Sequence, residues 1–486
     1  MKQLASSAAV FFLALSANAL GQAPSITADG GFAATALTEC KTDLRYLNQV
    51  TGWQVTWPRQ WAGVANRDDG FTEAAVEWQD APQALDALIG KLRAGIDNDE
   101  TAPRPVVLRV TQQISDLASD LETMNPRYFS ESKNAKPWNG LLSVRVAPML
   151  RMLESFLTEE YLPAAKGTPG LSGIANGEAC FRNAVEFWTT LTLTKEEIES
   201  IGRRMLDDAR TDLAATARLD ETADDVMHRL RDAQNADDTT EEELIAISQA
   251  ALDQAHDTVL GAFLYQPPRR IVVEPMANHL QASAPAGYYR PPQGDGPAGY
   301  IINPSRPGER RLMAEVIAFH EGVPGHHLFF DYPRDRESSG FNAGLLEGWA
   351  IYAEYVADEM GLYSTTLDRQ GMMTKHLWAA SRLLVEPGLH LGGWTREDAI
   401  GFMLDNTVLS RTEIEIEVDR YIAMPGHSLS YMLGADLILT EREQAREMLG
   451  EKFDIKDFHD VVLSPGVRPL PQVRTDVRAW VQRVNE

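Results

Sequence analysis

The chain has 486 residues, of which 44% are hydrophobic and 24% charged, a globular composition that argues against long disorder. Its 70 acidic residues outnumber its 45 basic residues, which gives a formal net charge of −25. A surface this acidic repels phosphate backbones and anionic membranes, so we expect no nucleic-acid partner.

The first 23 residues have the order of a secretory signal peptide. A short basic start at Met1-Lys2 precedes an apolar run from Ala8 to Leu15, and Ala17-Asn18-Ala19 offers a cleavage site, with Ala23 as a second candidate. The apolar run is too short to remain as a spanning helix, and no later stretch reaches about 18 uninterrupted apolar residues. We therefore expect an exported protein, periplasmic or secreted, without stable membrane insertion after signal cleavage.

The two cysteines, Cys40 and Cys180, leave two alternatives open. In an exported chain they either form one disulfide or remain buried free thiols. They are too few and too far apart for a cysteine-based zinc site.

The segment from about residue 33 to residue 264 has the pattern of successive helices. Apolar residues recur at three- and four-residue spacing in two runs: Leu85, Leu88, Ile89 and Leu92, then Ile114, Leu117, Leu121 and Met124. Thr194 followed by Lys195-Glu196-Glu197 predicts a helix N-cap with acids in the first turn. The charge-rich stretch from Asp220 to Glu242 predicts a solvated helix and loop and no metal site.

The pattern changes near Pro267. Ile271-Val272-Val273 is a β-branched run, Tyr288-Tyr289-Arg290 precedes a turn, and Tyr300-Ile301-Ile302 indicates a further strand. We therefore predict a mainly α protein with a small β ribbon directly before the motif helix. Residues 24–486 are expected to form one catalytic domain, with a helical N-terminal half to about residue 265 and a metal-binding half over residues 266–486.

The segment from Phe319 to Leu328 carries the chemistry. His320-Glu321 matches the start of the H-E-x-x-H zinc motif, but Pro324 stands where that motif has its second histidine. In the motif both histidines bind the metal from one helix face, and the glutamate acts as general base. His320 is thus a candidate ligand and Glu321 the candidate base.

The second histidine ligand remains open on helix geometry. At about 100° per residue, His327 returns to the face of His320 on an unbroken helix, whereas His326 does not. Pro324 and Gly325 make an unbroken helix unfavourable there, and a bulge of two residues would place His326 at the ligand position instead.

A third ligand is expected because catalytic zinc takes three protein ligands and one open position. Glu347 lies on an otherwise apolar stretch, where an unpaired carboxylate is costly to bury. Glu354 lies seven residues later on the same helix face and is a candidate partner for a ligand.

Polar residues near the C-terminal end of the chain provide candidates for substrate contacts. Tyr431 and His427 are candidates to stabilise the oxyanion that forms when water attacks a carbonyl. Three arginines are candidates to pair with a substrate carboxylate: Arg382, Arg411 and Arg420. Tyr421 and Tyr289 are assigned to substrate binding with them.

These motifs resemble the DUF885 family, bacterial proteins that are similar to zinc metallopeptidases. That family carries H-E-x-x-P-G-H-x-x-Q, and residues 320–329 follow it except that Phe329 replaces the glutamine. Glu347-Gly348-Trp349-Ala350 matches its E-G-W-A segment. Residues 382–390 resemble its R-x-x-x-D-x-G-x-H segment with Glu386 for aspartate, and residues 420–431 resemble its R-Y…P-G-Q-x-x-S-Y segment with His427 for glutamine.

The resemblance implies a largely helical, zincin-like metallopeptidase fold with zinc as the cofactor. It implies His320, His326 and Glu347 as the ligands and so favours His326 over His327. Two imidazoles and one carboxylate also suit manganese, cobalt or iron, so the type of ligand alone leaves the metal open.

The function predicted from the sequence is a zinc-dependent hydrolase of peptide or related amide bonds, a carboxypeptidase or dipeptidase-like exopeptidase. An amidase acting on a small metabolite or a cell-wall fragment is the alternative enzyme, because zinc and a carboxylate base serve either bond. A catalytically inactive binding or scaffold protein of the cell envelope is the alternative outside catalysis. The chain has no G-x-S-x-G sequence, which argues against a serine nucleophile.

Overall fold

The structure, a computed structural model, describes residues 35–276, 281, 286–292, 294, 296–334 and 342–486. The predicted signal peptide at residues 1–23, with both candidate cleavage sites, lies outside these residues. The helices of the first half are α1 (Trp53–Ala65), α2 (Phe71–Glu77), α3 (Ala81–Asp97), α4 (Arg104–Glu122), α5 (Lys136–Gly140), α6 (Ala147–Phe156), α7 (Leu162–Ala164), α8 (Gly177–Thr189), α9 (Lys195–Ala214), α10 (Ala223–Ala236) and α11 (Glu241–Thr258).

Strands and further helices make up the second half. The strands are β1 (Val272–Pro275), β2 (Gly287–Arg290) and β3 (Gly299–Ile302). The helices are α12 (Pro307–Arg311), α13 (Ala314–Glu321), α14 (His326–Asp331), α15 (Ala343–Glu359), α16 (Thr366–His390), α17 (Arg396–Asn406), α18 (Arg411–Ala423), α19 (Leu429–Leu449), α20 (Ile455–Leu463) and α21 (Leu470–Asn485). Short 3₁₀ turns lie at Asp43–Arg45, Lys133–Ala135, Leu171–Gly173, Val259–Gly261 and Gly450–Lys452, and π-helical turns at Leu141–Val146 and Leu157–Tyr161. The prediction of a mainly α fold is confirmed.

The apolar periodicity of the first half predicts its helices with one error. The apolar positions of the first run are buried on α3, and those of the second run to Leu121 are buried on α4. Met124 lies beyond the end of α4, with φ at 51° and half of its side chain exposed. The helix therefore ends two residues before the pattern does. Thr194 and Glu197 form the capping box that opens α9, as predicted.

The charge-rich stretch from Asp220 to Glu242 forms a helix and its flanking loops, as predicted. Thr222 caps α10, and Thr240 caps α11. Their acidic neighbours lie on the exposed face, where ordinary solvation stabilises them.

The predicted ribbon is a three-stranded sheet with the order β1-β3-β2. Strand β1 pairs with β3 in parallel, and β2 pairs with β3 antiparallel, with Tyr289 opposite Tyr300. The sheet contacts α11 and α13. It therefore lies beside the helix that carries the motif, as the sequence predicts.

Helix α15 runs through the centre of the second half. Every residue on it from 343 to 354 is buried, because α19 covers one side and α13 another. Helices α15 and α19 meet at two glycines. A Cβ atom on Gly348 would lie 2.5 Å from the Cα of Gly434, and one on Gly434 would overlap the carbonyl of Gly344. Only glycine permits this spacing of the two helix backbones.

One disulfide crosslinks the N-terminal half internally, and polar contacts of Asn48 and Arg109 tie that half to the rest of the fold. Cys40 and Cys180 form a disulfide with a Cα–Cα distance of 5.5 Å, which resolves the alternative that the sequence leaves open. Asn48 donates a hydrogen bond to the carbonyl of Ala423 at the end of α18. Arg109 pairs with the buried Asp419 on the same helix. Among the described helices, none combines the length and apolar character needed to cross a membrane.

Candidate metal centre

The motif segment folds as two short helices joined by a tight turn. Helix α13 ends at Glu321, and α14 begins at His326. The amide of Gly325 donates to the carbonyl of Phe319 at 3.0 Å, and a Cβ atom on Gly325 would overlap the carbonyl of His320. The expectation that Pro324 and Gly325 interrupt the helix is therefore confirmed, and the interruption is a break between two helices and not a bulge within one. The break nevertheless has the effect that a bulge would have, because it places His326 and not His327 beside His320.

This turn brings His326 to His320, and α15 brings Glu347 to both. The Nε2 atom of His320 lies 3.4 Å from Oε2 of Glu347, and Nε2 of His326 lies 3.6 Å from the same oxygen. The potential ligand atoms of the three residues all lie within 4.8 Å of one another. All three side chains are buried. The structure thus assembles the ligand set that the family resemblance implies.

The spacing of these three residues fits a shared metal ion. Ordinary hydrogen bonds between nitrogen and oxygen span about 2.7–3.2 Å, so both contacts with Glu347 are long for direct bonds. Two ligand atoms that each bind one tetrahedral zinc at 2.0–2.2 Å stand roughly 3.3–3.6 Å apart. Two imidazole nitrogens and one carboxylate oxygen are ligands that zinc accepts.

Glu354 orients the first histidine from behind. Its Oε1 accepts a hydrogen bond from Nδ1 of His320 at 2.7 Å, and its Oε2 accepts one from Nε2 of His376 at 3.0 Å. Lys375 forms an ion pair with the same carboxylate. Burial alone would raise the pKa of Glu354, but Lys375 and the two histidines lower it by more. The net pKa is therefore below the usual value, and the group stays ionised. With Nδ1 engaged in this bond, Nε2 of His320 faces Glu347 and is available to a metal.

His327 lies outside the group of ligands. Its Nε2 is 3.2 Å from the carbonyl of Arg269, and its Nδ1 is 3.3 Å from the hydroxyl of Tyr289. The alternative of His327 as a ligand therefore has no support in the geometry. Tyr289 is buried, and its hydroxyl faces His327. The structure thus brings this hydroxyl to His327 and not to the three candidate ligands, and its assignment to substrate binding stays a prediction.

Tyr431 and His427 lie beside the ligands on the α19 side. The ring of Tyr431 stacks on that of His320 with a centroid distance of 6.3 Å, and the side chain is partly exposed. Burial and the nearby Glu347 raise the pKa of Tyr431, so its hydroxyl keeps its proton. His427 is buried against Trp188, and burial together with Arg420 lowers its pKa to about 3. Its imidazole is therefore neutral at physiological pH.

The three candidate arginines have different surroundings. Arg382 is buried on α16. Arg420 is partly exposed on α18, and it pairs with Glu417. Arg411 lies on the surface with 57% of its side chain exposed, and it pairs with Glu397 and Glu415. These ion pairs lie at a helix start in solvent, so the structure gives the expected contact of Arg411 with substrate no support.

Tyr421 and Glu386 position groups that surround Tyr431 and His427. The hydroxyl of Tyr421 accepts hydrogen bonds from Trp378 and from Nε of Arg382, so Tyr421 supports the arginine and does not face the ligands directly. Glu386, which stands in the place of the family's aspartate, accepts bonds from Gly426 and Ser428. Burial raises the pKa of Glu386 to about 7. These bonds fix the loop that precedes α19.

Phe329 occupies the position of the family's glutamine in the motif. It is buried between Phe330 and Trp349, with the guanidinium of Arg334 over its ring at 5.5 Å. An apolar ring cannot supply the hydrogen bonds of a glutamine. This position therefore acts through packing in this chain.

The sequence reasoning missed four residues of the site: Lys375, His376, Trp378 and Glu417. Lys375 and His376 are two basic residues buried on α16, and a titratable residue in an apolar stretch is the same signal that points to Glu347. Their partner Glu354 lies on another helix, so the sequence alone does not show the pairing.

Comparison with known proteins identifies the family and the fold. Residues 43–477 match the profile of DUF885, described as bacterial protein of unknown function. A "putative lipoprotein" from Colwellia psychrerythraea is 24% identical with a TM-score of 0.79, over 90% of this chain and 80% of that chain. A "putative lipoprotein of unknown function" from Shewanella oneidensis is 16% identical with a TM-score of 0.63, over 92% and 87%. A search of curated proteins found no match. At these identities the structural similarity concerns the fold alone.

Proposed function

The chain belongs to the DUF885 family, and from that premise we propose that it is a zinc-dependent hydrolase of peptide or related amide bonds. The observation that supports this is the buried group of His320, His326 and Glu347, whose spacing fits one ion. Two buried imidazoles and a carboxylate that face one another, with Glu354 orienting the first, are costly to assemble for stability alone. A bound metal offsets that cost.

The residues around the ligands supply the remaining chemistry. When bound, the zinc ion provides Lewis-acid polarisation of the substrate carbonyl and of water. Glu321, the residue after the first ligand, accepts the proton of the attacking water and passes it to the leaving amine. The protonated hydroxyl of Tyr431 is a donor beside the ligands, and it stabilises the negative charge that develops on the carbonyl oxygen. His427, neutral, packs beside Tyr431 and supports its position.

We further propose that the enzyme is an exopeptidase, because two cationic groups, one buried and one partly exposed, lie around Tyr431 beside the candidate ligands. Arg382 and Arg420 both belong to the cluster that contacts Tyr431. A guanidinium group binds a carboxylate with two parallel hydrogen bonds. A terminal carboxylate of a peptide is the substrate group that fits such a cluster.

Export from the cytoplasm is part of the same proposal. The N-terminal pattern of residues 1–23 is that of a signal peptide, and the disulfide between Cys40 and Cys180 is of the kind that persists in oxidising compartments. The two structural neighbours, described as lipoproteins, also support an envelope location.

The test is the metal content and peptide hydrolysis of matched histidine variants. Wild type should carry about one zinc per chain, since one such group of ligands exists among the described residues. His326→Ala should lose both zinc and activity, whereas His327→Ala, altered at the neighbouring buried histidine, should keep both. Glu321→Gln should keep the metal and lose activity by roughly 10²–10⁴-fold, as expected for removal of a general base.

Three outcomes would decide against the proposal. Wild type that binds no zinc and cleaves nothing after zinc addition would favour the envelope binding protein. Wild type that binds zinc and cleaves acylated amino acids but no peptides would favour the amidase. Loss of zinc in His327→Ala but not in His326→Ala would overturn the ligand assignment.

A further inference from the structure

One buried cation beside the metal centre lacks a well-placed carboxylate. Arg382 on α16 and Arg420 on α18 both face Glu417. Arg420 donates to this carboxylate twice, from Nε at 3.1 Å and from Nη2 at 2.6 Å. Arg382 reaches it only with Nη2 at 3.5 Å, which is the limit of a hydrogen bond. The single anion is thus engaged by Arg420, and the charge of Arg382 is left largely unbalanced within this cluster.

Aromatic groups hold the Arg382 guanidinium in one orientation. Its Cζ atom lies 4.2 Å from the ring centroid of Trp378 and 4.8 Å from that of Tyr431. Its Nε atom donates to the hydroxyl of Tyr421 at 3.2 Å. Within the described part of the chain, Nη1 has no hydrogen-bond partner. The unused Nη1 and the weakly used Nη2 therefore form a fork that matches a carboxylate.

The position of this fork is suited to a substrate at the metal ligands. Tyr431 contacts Arg382 and also stacks on His320, so one aromatic ring links the guanidinium to a metal ligand. Trp378 and Tyr431 are partly exposed, whereas Arg382 is 4% exposed. A carboxylate that reaches the fork leaves water for a buried site. Its attraction to the guanidinium is stronger there, because the effective dielectric constant is lower. The ring of Tyr431 lies 6.3 Å from that of His320 and 4.8 Å from the Arg382 guanidinium. Because successive Cα atoms are about 3.8 Å apart, the last few residues of a peptide span the distance from His320 to Arg382.

We infer that Arg382 binds the C-terminal carboxylate of the substrate on the leaving-group side of the scissile bond. This inference rests on the proposed hydrolase function and assigns its substrate class: peptides with a free carboxyl terminus. Arg382 carries this role in preference to Arg420, whose charge Glu417 already neutralises.

The test compares free acids with carboxamides of the same peptides. Zinc-loaded enzyme is incubated with a mixture of dipeptides and tetrapeptides, each present in both forms, and products are followed by mass spectrometry. We expect kcat/KM of wild type for the acids to exceed that for the amides at least roughly 100-fold. In Arg382→Gln this ratio should fall towards one, mainly through a higher KM for the acids. The control Arg411→Gln removes an exposed arginine and should leave the ratio unchanged.

A second variant covers the case in which Arg382→Gln does not fold, which circular dichroism and zinc content reveal. Arg382→Lys keeps the charge but lacks the fork, and it should lower the ratio of acid to amide at least roughly 10-fold. An unchanged ratio in a folded Arg382 variant would overturn the assignment. Equal cleavage of acids and amides by wild type would also overturn it, while leaving the hydrolase proposal intact.

Binding without turnover separates the two proposals. If zinc-loaded wild type cleaves neither form, the hydrolase proposal fails, and the binding of tetra-alanine and tetra-alanine amide to the same protein is compared by equilibrium dialysis. Tighter binding of the acid, lost in Arg382→Lys, would support the carboxylate site by itself. Equal binding of the two would overturn it.

Discussion

Replacing Glu354 by glutamine tests how the first metal ligand is held. The glutamine keeps the size of the side chain but loses the charge that strengthens its bonds to His320 and His376. Changes in groups that orient a metal ligand weaken metal binding about 10–100-fold, which corresponds to roughly 1.4–2.7 kcal/mol. We expect Glu354→Gln to weaken zinc binding within that range.

The same substitution should also destabilise the metal-free fold. Lys375 is buried and forms an ion pair with Glu354, so the glutamine leaves a buried ammonium without its counter-charge. Breaking a buried pair on one side costs about 3–5 kcal/mol. The double variant Glu354→Gln/Lys375→Met removes both charges. It should recover much of the lost stability without recovering the affinity for zinc.

Two measurements separate these effects. Zinc affinity is obtained by competition with a chromophoric chelator, and the free energy of unfolding of the metal-free protein by urea titration. An affinity of Glu354→Gln within twofold of wild type would refute the role of Glu354 in orienting His320. Recovery of affinity in the double variant would show that the buried charge, and not the orientation of the imidazole, controls metal binding.

Three further predictions concern the fold around the site. Removing the disulfide by Cys40→Ala/Cys180→Ala, whose sequence separation is 140, should lower the free energy of unfolding by up to about 5 kcal/mol in the chain-entropy model, measured in urea. Gly325→Ala should cost roughly 1–3 kcal/mol and weaken zinc binding, because its Cβ atom overlaps the carbonyl of His320. Burial raises the pKa of Asp43 to about 7, although a hydrogen bond from a tyrosine lowers it in part. As pH rises, this group therefore loses its proton in the unfolded chain before it does in the folded one. The free energy of unfolding falls as pH rises from about 4 to about 7, by up to about 1.4 kcal/mol per pH unit. Asp43→Asn should remove that slope, measured as unfolding free energies at several pH values.

Each of these predictions has a control. For the disulfide, wild type unfolded in the presence of a reductant should lose as much stability as the double variant, and an unchanged free energy in both would contradict the prediction. Gly401→Ala, where the added Cβ atom meets open space on α17, should be neutral or stabilising by up to about 1 kcal/mol. A similar loss in both glycine variants would contradict the role of the turn. If Asp43→Asn keeps the pH slope of wild type, another group titrates.

The sequence predicts most of the fold because local signals and the final structure agree over long stretches. Amphipathic periodicity locates α3 and α4, and a threonine followed by acids locates the start of α9. The three β-branched or aromatic runs correspond to the three strands. The error at Met124 has a physical cause: an apolar residue at helical spacing does not itself continue a helix, and its exposed side chain gains no burial energy from doing so.

The site is only partly predictable from sequence. Glu347 is detectable because an isolated carboxylate on an apolar helix needs a buried partner. Helix geometry leaves the choice between His326 and His327 open, because it depends on a turn whose hydrogen bonds leave the helix, and only the family resemblance favours His326. The sequence does not distinguish the solvated Arg411 from the buried Lys375, because whether a charge is solvated or buried depends on packing between distant helices. The prediction of one domain over residues 24–486 stays a prediction.

The glycine contact between α15 and α19 has a consequence for how the site can change. Glu347 precedes Gly348 by one residue, and Tyr431 precedes Gly434 by three, so a backbone contact sets the distance between ligand and donor. Side chains on α16 and α18 take no part in that contact. Selection or engineering can therefore alter the residues proposed to face substrate, Arg382 among them, without changing the spacing of the proposed metal ligand and the proposed donor. Changes of substrate specificity should therefore arise from substitutions on α16 and α18, whereas substitutions at Gly348 and Gly434 should not be tolerated.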